Sequence, residues 1–292
     1  MTEALVSTRG LGKSIGGKTI LRDINVDVSP GSVVGILGKN GAGKTTLMEI
    51  LLGFSPASTG GSRLFGHDSL TLPAAIKGRI GFVPQQDELI NLLTGRQQLA
   101  LSAALHRHWN HTLIERLQTA WEVPLDRPVQ TLSGGERQKL STLSALGHEP
   151  ELLVLDEPVS SLDPLSRRRF LAQMIEVSAD RARTVLFSTH ITSDLERVAD
   201  QIWIVRNGVI AWAGPLDALK ESVVRIHIAS QRALPSPLPL LNALSQQVAG
   251  VRASAVVTHW SEQEQLRLQA QLDARIAIES LTLEDIFLEL HS

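Results

Sequence analysis

A glycine-rich run near the start of the chain limits its fold more than any other segment. Gly38-Lys39-Asn40-Gly41-Ala42-Gly43-Lys44-Thr45-Thr46 fits the pattern of Gly, four residues, then Gly-Lys-Ser/Thr. The apolar run Val33 to Leu37 precedes it and Leu47 to Leu52 follows, which predicts a strand, a tight loop and a helix start. Glycines let successive backbone N–H groups turn inward as an anion nest. The helix beginning there turns free N–H groups and its positive dipole end to the same point. Lys44 supplies a charge for β- and γ-phosphates, and the Thr45 hydroxyl is a ligand for Mg²⁺.

Composition narrows the setting. The 292 residues are 43% hydrophobic and 20% charged, enough for one large α/β domain and a smaller appendage. A formal net charge of −2 gives no overall basic field, so no nucleic-acid partner is expected. There are no cysteines, which excludes a disulfide framework and thiol metal sites and fits a cytosolic setting. With no tyrosine and 4% aromatic residues, a broad surface for stacking single-stranded bases is not expected. Met1 to Leu5 lacks the basic-then-apolar pattern of a signal peptide. No stretch nears the ~20 consecutive apolar residues of a membrane helix, so a membrane role requires another chain to span the bilayer.

Along the chain, residues 4–32 read as short antiparallel strands, with a turn at Gly16-Gly17 and alternation at Ile24, Val26 and Val28. A Ser/Gly loop is expected after Gly53, then a strand from Arg79 to Pro84. From Gln85 to about Asp126, leucines at 92, 93, 99, 101, 105, 113 and 117 with Ile114 follow a helical period. Leu152 to Leu155 and Thr184 to Thr189 suit buried parallel strands. Between them a helix starts at Pro164, with Asp163 as N-cap. Asn207-Gly208 marks a hairpin. The tail opens with strand-like Val223 to Ile228, passes a Pro-rich stretch and ends in a helix started by Thr282-Leu283-Glu284-Asp285. The expected class is α/β: a P-loop NTPase core with a mostly parallel sheet, an N-terminal antiparallel β-subdomain, a helical insertion and a small C-terminal α+β appendage.

Four further motifs follow the loop in order. Leu152-Leu153-Val154-Leu155-Asp156-Glu157 is a buried strand ending in two carboxylates, at the edge where open α/β sheets bind ligands. Asp156 is placed to orient Mg²⁺ through its water shell, and Glu157 to polarise an attacking water. Leu132-Ser133-Gly134-Gly135-Glu136 opens a helix and builds a second anion site; in isolation it would read as an ordinary N-cap. His190, after the strand ending at Thr189, can hydrogen-bond a γ-phosphate. Gln85, with Gln86 beside it, can ligate Mg²⁺ or orient water.

Together these residues resemble the nucleotide-binding domain of ATP-binding cassette (ABC) proteins over roughly residues 3–220. Gly38 to Thr46 matches its Walker A motif, Gln85 its Q-loop, and Leu132 to Glu136 its signature motif, with Glu136 where the family has Gln. Leu152 to Glu157 matches Walker B, Ser161-Leu162-Asp163 the D-loop and His190 the switch histidine. The resemblance implies a cassette over 1–221, with a helical subdomain about 86–127, and an appendage over 222–292. It also implies a head-to-tail dimer with a second nucleotide-binding subunit, trapping two ATP molecules. Ser133, Gly134 and Gly135 of one subunit then contact the γ-phosphate held by the other. Ile15 stands where the family has an aromatic that stacks on adenine.

The tail from Ser280 to Leu290 is similar to the end of ABC-2-type exporter ATPases. That similarity favours an ATPase subunit on the cytoplasmic face of the membrane, coupled to a separate transmembrane permease. A soluble ABC ATPase in cofactor assembly, translation or DNA maintenance is the alternative. Ile286, Phe287 and Leu290 form one apolar helix face, for docking within the chain or for a dimer or regulatory contact. His106, His108 and His111 lack a carboxylate or Cys to complete a metal set. Arg167-Arg168-Arg169 reads as a solvated helix face. Trp109 and Trp121 suit either subdomain packing or a surface for a membrane partner.

Overall fold

The computed structural model describes residues 4–179 and 183–290. Met1 to Glu3, the first residues of the stretch expected to lack a signal-peptide pattern, lie outside the described residues. The chain divides into two compact units, Met1–Ala213 and Gly214–Ser292.

In the first unit, β1 (Val6–Ile15) and β2 (Lys18–Ile24) form a hairpin about Gly16-Gly17, and β3 (Asp27–Val28) pairs with β1. Ile24, Val26 and Val28 are buried while Asn25 and Asp27 are exposed, as strand alternation requires. β4 (Val33–Leu37) enters a second sheet and runs through the glycine loop into α1 (Lys44–Leu51). The expected Ser/Gly loop instead holds β5 (Thr59–Leu64), β6 (His67–Asp68) and the short α2 (Ala74–Lys77). β5 pairs antiparallel with β1 and extends the first sheet. Its glycines hide the strand pattern but permit the pairing: Gly60 has φ +63, and a Cβ there would lie 2.3 Å from the Arg9 carbonyl oxygen.

β7 (Ile80–Val83) stops before Pro84. α3 (Gly95–Leu105) and α4 (His111–Ala120) pack on α5 (Gly134–Leu146). Only part of the predicted leucine period is core. Leu99, Ile114 and Leu117 are buried, but Leu92 precedes the helix and is 81% exposed, and Leu105 at the end of α3 is 76% exposed. Trp121 is buried and stacks on Phe170, with ring centroids 4.9 Å apart, so its role is packing. Trp109 fits against Gly147, where a Cβ would come within 2.3 Å of its ring.

The chain continues through β8 (Leu152–Leu155), α6 (Pro164–Ala179), β9 (Thr184–Thr189), α7 (Thr192–Val198), β10 (Gln201–Arg206) and β11 (Val209–Pro215). The sheet order is β11-β10-β4-β9-β8-β7, with β10, β4, β9, β8 and β7 parallel. Every residue of β8 and β9 is buried, matching the apolar runs Leu152–Leu155 and Val185–Phe187. Registers such as Leu37↔Thr189 and Leu155↔Phe187 align the C-terminal ends of β4, β9 and β8, so the residues after those strands converge.

The second unit begins before the boundary expected at 221/222. α8 (Leu216–Ser222) runs straight into β12 (Val223–Ser230) and packs on it. β13 (Ala243–Ala249), β14 (Arg252–Thr258), α9 (Glu262–Leu272), β15 (Ala274–Ser280) and α10 (Leu283–Leu290) complete it. The antiparallel sheet has the order β13-β14-β12-β15. One face forms a core in which Ile226, Ile228, Ala255 and Val257 pack with Leu268 of α9. Thr282 caps α10 through Asp285, whose N–H donates to the Thr282 hydroxyl at 3.2 Å. Leu283, Ile286 and Phe287 are the buried face of α10, and Leu290 is half-buried.

His148, just after α5, ties the helical region to β7. Its Nε2–H donates to the Ile80 carbonyl at 3.1 Å, and its ring stacks on His106 at 4.0 Å. Burial, then the neighbouring His106, push its pKa down to about 4. The unfolded chain takes up a proton at this position below about pH 6.5, whereas the folded chain does so only near pH 4. Stability therefore falls as pH drops through that window, by no more than about 3 kcal/mol from this group. Urea midpoints followed from pH 7 to 4 should show a shallower loss for His148→Gln than for wild type; parallel curves would contradict the assignment.

Candidate functional site

The glycine loop closes around the Lys44 ammonium. Gly43, the N-cap of α1, has φ 105 and Gly41 has φ 78, conformations that glycine adopts without strain. Lys44 Nζ donates to the Gly38 carbonyl at 2.7 Å and lies 3.3 Å from Glu157 Oε1. Both charged side chains are almost wholly buried, at 6% and 7% exposure. Buried charges are held only when matched, and here each has the other plus a hydrogen-bonding neighbour. Glu157 Oε2 accepts from His190 Nδ1–H at 2.9 Å.

Asp156 is matched by hydroxyls instead. The Thr45 hydroxyl donates to its Oδ2 at 2.7 Å, and the Ser188 hydroxyl donates to its Oδ1. Ser188 also accepts from the Glu157 backbone N–H at 2.9 Å. Glu157 has φ 51, a left-handed conformation that costs a non-glycine residue energy and is found where a side chain must be aimed. The Ser160 N–H and hydroxyl both donate to the Glu157 carbonyl, fixing that turn. The hard oxygens of Thr45 and Asp156 suit a divalent cation such as Mg²⁺.

Asn40, Gly41, Ala42, Gly43, Lys44, Thr45 and Thr46 line a cavity of about 390 Å³ with Gln85, Glu157, Lys18 and Ile20. The structure thus gathers the loop, Gln85 and Glu157 in one place, with Asp156 and His190 bonded to its wall. Lys39 stands at the loop's start, where its carbonyl is 3.5 Å from Lys44 Nζ. Ile15, at the end of β1, is 56% exposed and not in the lining.

Ser133, Gly134, Gly135 and Asp163 are also outside this cavity's lining. They form a second cluster. Ser133 caps α5 in a reciprocal box: its hydroxyl accepts from the Glu136 N–H at 3.3 Å and its own N–H donates to Glu136 Oε2 at 2.7 Å. A Cβ on Gly135 would meet Leu162 at 3.0 Å, so the D-loop residues lie against the glycines. Asp163 Oδ1 accepts from the N–H groups of Leu165 and Ser166, both at 3.0 Å; the Ser166 side chain first, and then these backbone bonds, hold its carboxyl below the usual range.

Several residues in these clusters escaped the sequence reading. Ser188 was hidden in an apolar strand, although a hydroxyl there needs a buried partner. Arg137 grips Asp87 with two donors, at 2.9 and 2.6 Å, and that bond raises the Arg137 pKa. This clamp joins the segment after Gln85 to the helix that begins at Gly134. In the three-arginine run Arg168 and Arg169 are exposed, whereas Arg167 is half-buried and lies 3.9 Å from Asp194. His108 donates to Glu149 at 2.6 Å, and no group of three or more metal-ligating side chains converges among the described residues. Replacing Asp87 with Asn should cost about 1–3 kcal/mol in chemical denaturation, because it removes the charged acceptor of a part-buried guanidinium. An unchanged midpoint would show that Asp87 and Arg137 are independent.

The ABC transporter family model matches residues 21–160. Nod factor export ATP-binding protein I of Paraburkholderia xenovorans (strain LB400) is 31% identical over 99% of this chain and 98% of its own length. The daunorubicin/doxorubicin resistance ATP-binding protein DrrA of Streptomyces peucetius is 31% identical over 78% of this chain and 72% of its own. A solved ATP-binding subunit of an ABC transporter superposes with a TM-score of 0.66 at 28% identity, covering 74% of this chain and 92% of that one. No helix among the described residues is long and apolar enough to cross a membrane. The chain belongs to the ABC transporter family, as an ATP-binding, ATP-hydrolysing protein.

Proposed function

We propose that this chain is the ATPase subunit of an exporter, working with a second nucleotide-binding subunit and a separate transmembrane permease on the cytoplasmic face of the membrane. The observation that carries the catalytic part is the buried Lys44–Glu157 pair at the glycine loop, with Glu157 also bonded to the solvent-exposed His190. ATP phosphates entering the loop draw Lys44 from Glu157. The freed carboxylate, held by His190 and by its strained backbone, orients and accepts the proton of the attacking water. Thr45, Asp156 and Gln85 would hold Mg²⁺, which would neutralise charge on the phosphates.

Ser133, Gly134, Gly135 and Asp163 form their own cluster beside Leu162, apart from the phosphate cavity of the same chain. That separation supports a head-to-tail pair in which the cluster meets nucleotide held by the other subunit. Ile15 stands at the position of the family's adenine-stacking aromatic and pairs with Lys18 across the β1–β2 hairpin, while Lys18 and Ile20 line the phosphate cavity. Export is favoured because similarity to the Nod factor export protein extends over both units of this chain.

Two substitutions test the roles. Lys44→Ala should abolish measurable ATP turnover. Glu157→Gln should retain ATP binding and lower turnover at least about 100-fold, the scale of a lost general base. Wild-type turnover in Glu157→Gln would remove Glu157 from that role. Purification of tagged Glu157→Gln from its native cell in mild detergent should bring a polytopic membrane protein in stoichiometric amount. Recovery of a soluble dimer alone, or with ribosomes, DNA or assembly factors, would favour a soluble ABC ATPase.

A further inference from the structure

The second unit has one sheet face in its core and one that is largely open. Cross-strand register puts His227 and Ala229 of β12, Arg252 and Ser254 of β14, and Arg275 and Ala277 of β15 on the open face. Gln247 and Ala249 of β13 continue the same rows. α10 meets this face at one end, where Glu289 accepts from the Ser245 hydroxyl at 2.7 Å and lies 3.5 Å from Arg225. The rest of the face is a trough of about 770 Å³ that includes Arg252, Arg275, His227, Ser254 and Gln247.

Charge is distributed unevenly. Residues 214–292 carry nine Asp or Glu against six Lys or Arg, so the unit is acidic as a whole. Two of its other arginines find acids: Arg225 pairs with Glu279 and Glu289, and Arg267 with Glu264. Arg252 and Arg275 have no carboxylate partner among the described residues, although each stands directly across from Ala229. They flank one methyl group from opposite sides, with Cα atoms two strand spacings, roughly 10 Å, apart. Two guanidiniums over a small-residue floor concentrate positive charge there, which favours an anion between them. His227, in the next row, donates to Glu279 at 2.8 Å and leaves the arginines to themselves.

We propose that this trough is a binding site for a phosphate group, held between Arg252 and Arg275 above Ala229. A carboxylate is satisfied by one guanidinium fork, whereas a tetrahedral dianion accepts from two forks at once. Ser254 and Gln247 supply further donors, and the methyls of Ala229, Ala249 and Ala277 leave a flat apolar floor for the group that carries the phosphate. A second copy of this face would set arginine against arginine, so self-association through it is disfavoured. The phosphate belongs either to a free small molecule or to a lipid headgroup. This site lies wholly within residues 214–292 and does not depend on the transport reading.

The test is amide NMR on the isotope-labelled full chain, titrated with inorganic pyrophosphate. Signals from Ala229, Ser254 and Ala277 report on the trough separately from those of Gly41 to Thr46. Saturable shifts at the trough are expected, weakening with added salt and at least about tenfold weaker in Arg252→Gln and in Arg275→Gln. The same variants should leave the Gly41 to Thr46 shifts unchanged, which shows that they are folded. Flotation with phosphatidic acid vesicles, against phosphatidylcholine vesicles, identifies the source. Arginine-dependent binding to phosphatidic acid without pyrophosphate shifts assigns the phosphate to a lipid. No arginine-dependent response to either probe, or trough shifts unaltered by both substitutions, would overturn the proposal.

Discussion

The buried contact between Lys44 and Glu157 is the interaction on which the cassette depends. Neither charge could be taken from water alone; each requires the other to be in place. That requirement reaches far along the chain. Lys44 follows β4, Glu157 follows β8, and His190 follows β9, so three parallel strands must be aligned before the charges meet. Ser188 extends the dependence, since one hydroxyl serves both Asp156 and the Glu157 backbone. The apolar strands thus do more than fill the core. Their register sets the distances between groups that are far apart in sequence.

The groups at this site were legible because their chemistry demands fixed spacing. A phosphate nest needs glycines next to a lysine, and a strand ending in two acids leaves few other readings. What stayed hidden was whatever depends on a distant partner. β5 carries too many glycines to read as a strand, and it exists because β1 offers it a close edge. The Asp87–Arg137 clamp links residues fifty positions apart. The leucine period promised a wider core than α3 provides, because only the face turned to α5 is covered. The second unit begins earlier than composition suggests, because α8 packs on the strand that follows it.

The two units handle charge differently. In the first unit the charges of Lys44, Asp156 and Glu157 are each matched by a close partner, and the cost of burial is met by geometry. In the second unit Arg252 and Arg275 have no carboxylate match among the described residues, and the sheet register holds them in place. The first arrangement is set for a reaction in which one partner of a pair is exchanged. The second is set for an anion to complete it.

The most direct measurement is the affinity of ADP for wild-type protein and for Glu157→Gln, since ADP binding involves no hydrolysis. If phosphates and Glu157 compete for Lys44, the variant should bind ADP several-fold more tightly, because removing the carboxylate's charge frees the ammonium. Equal or weaker binding by a folded Glu157→Gln protein would contradict the exchange of Lys44 between carboxylate and phosphate.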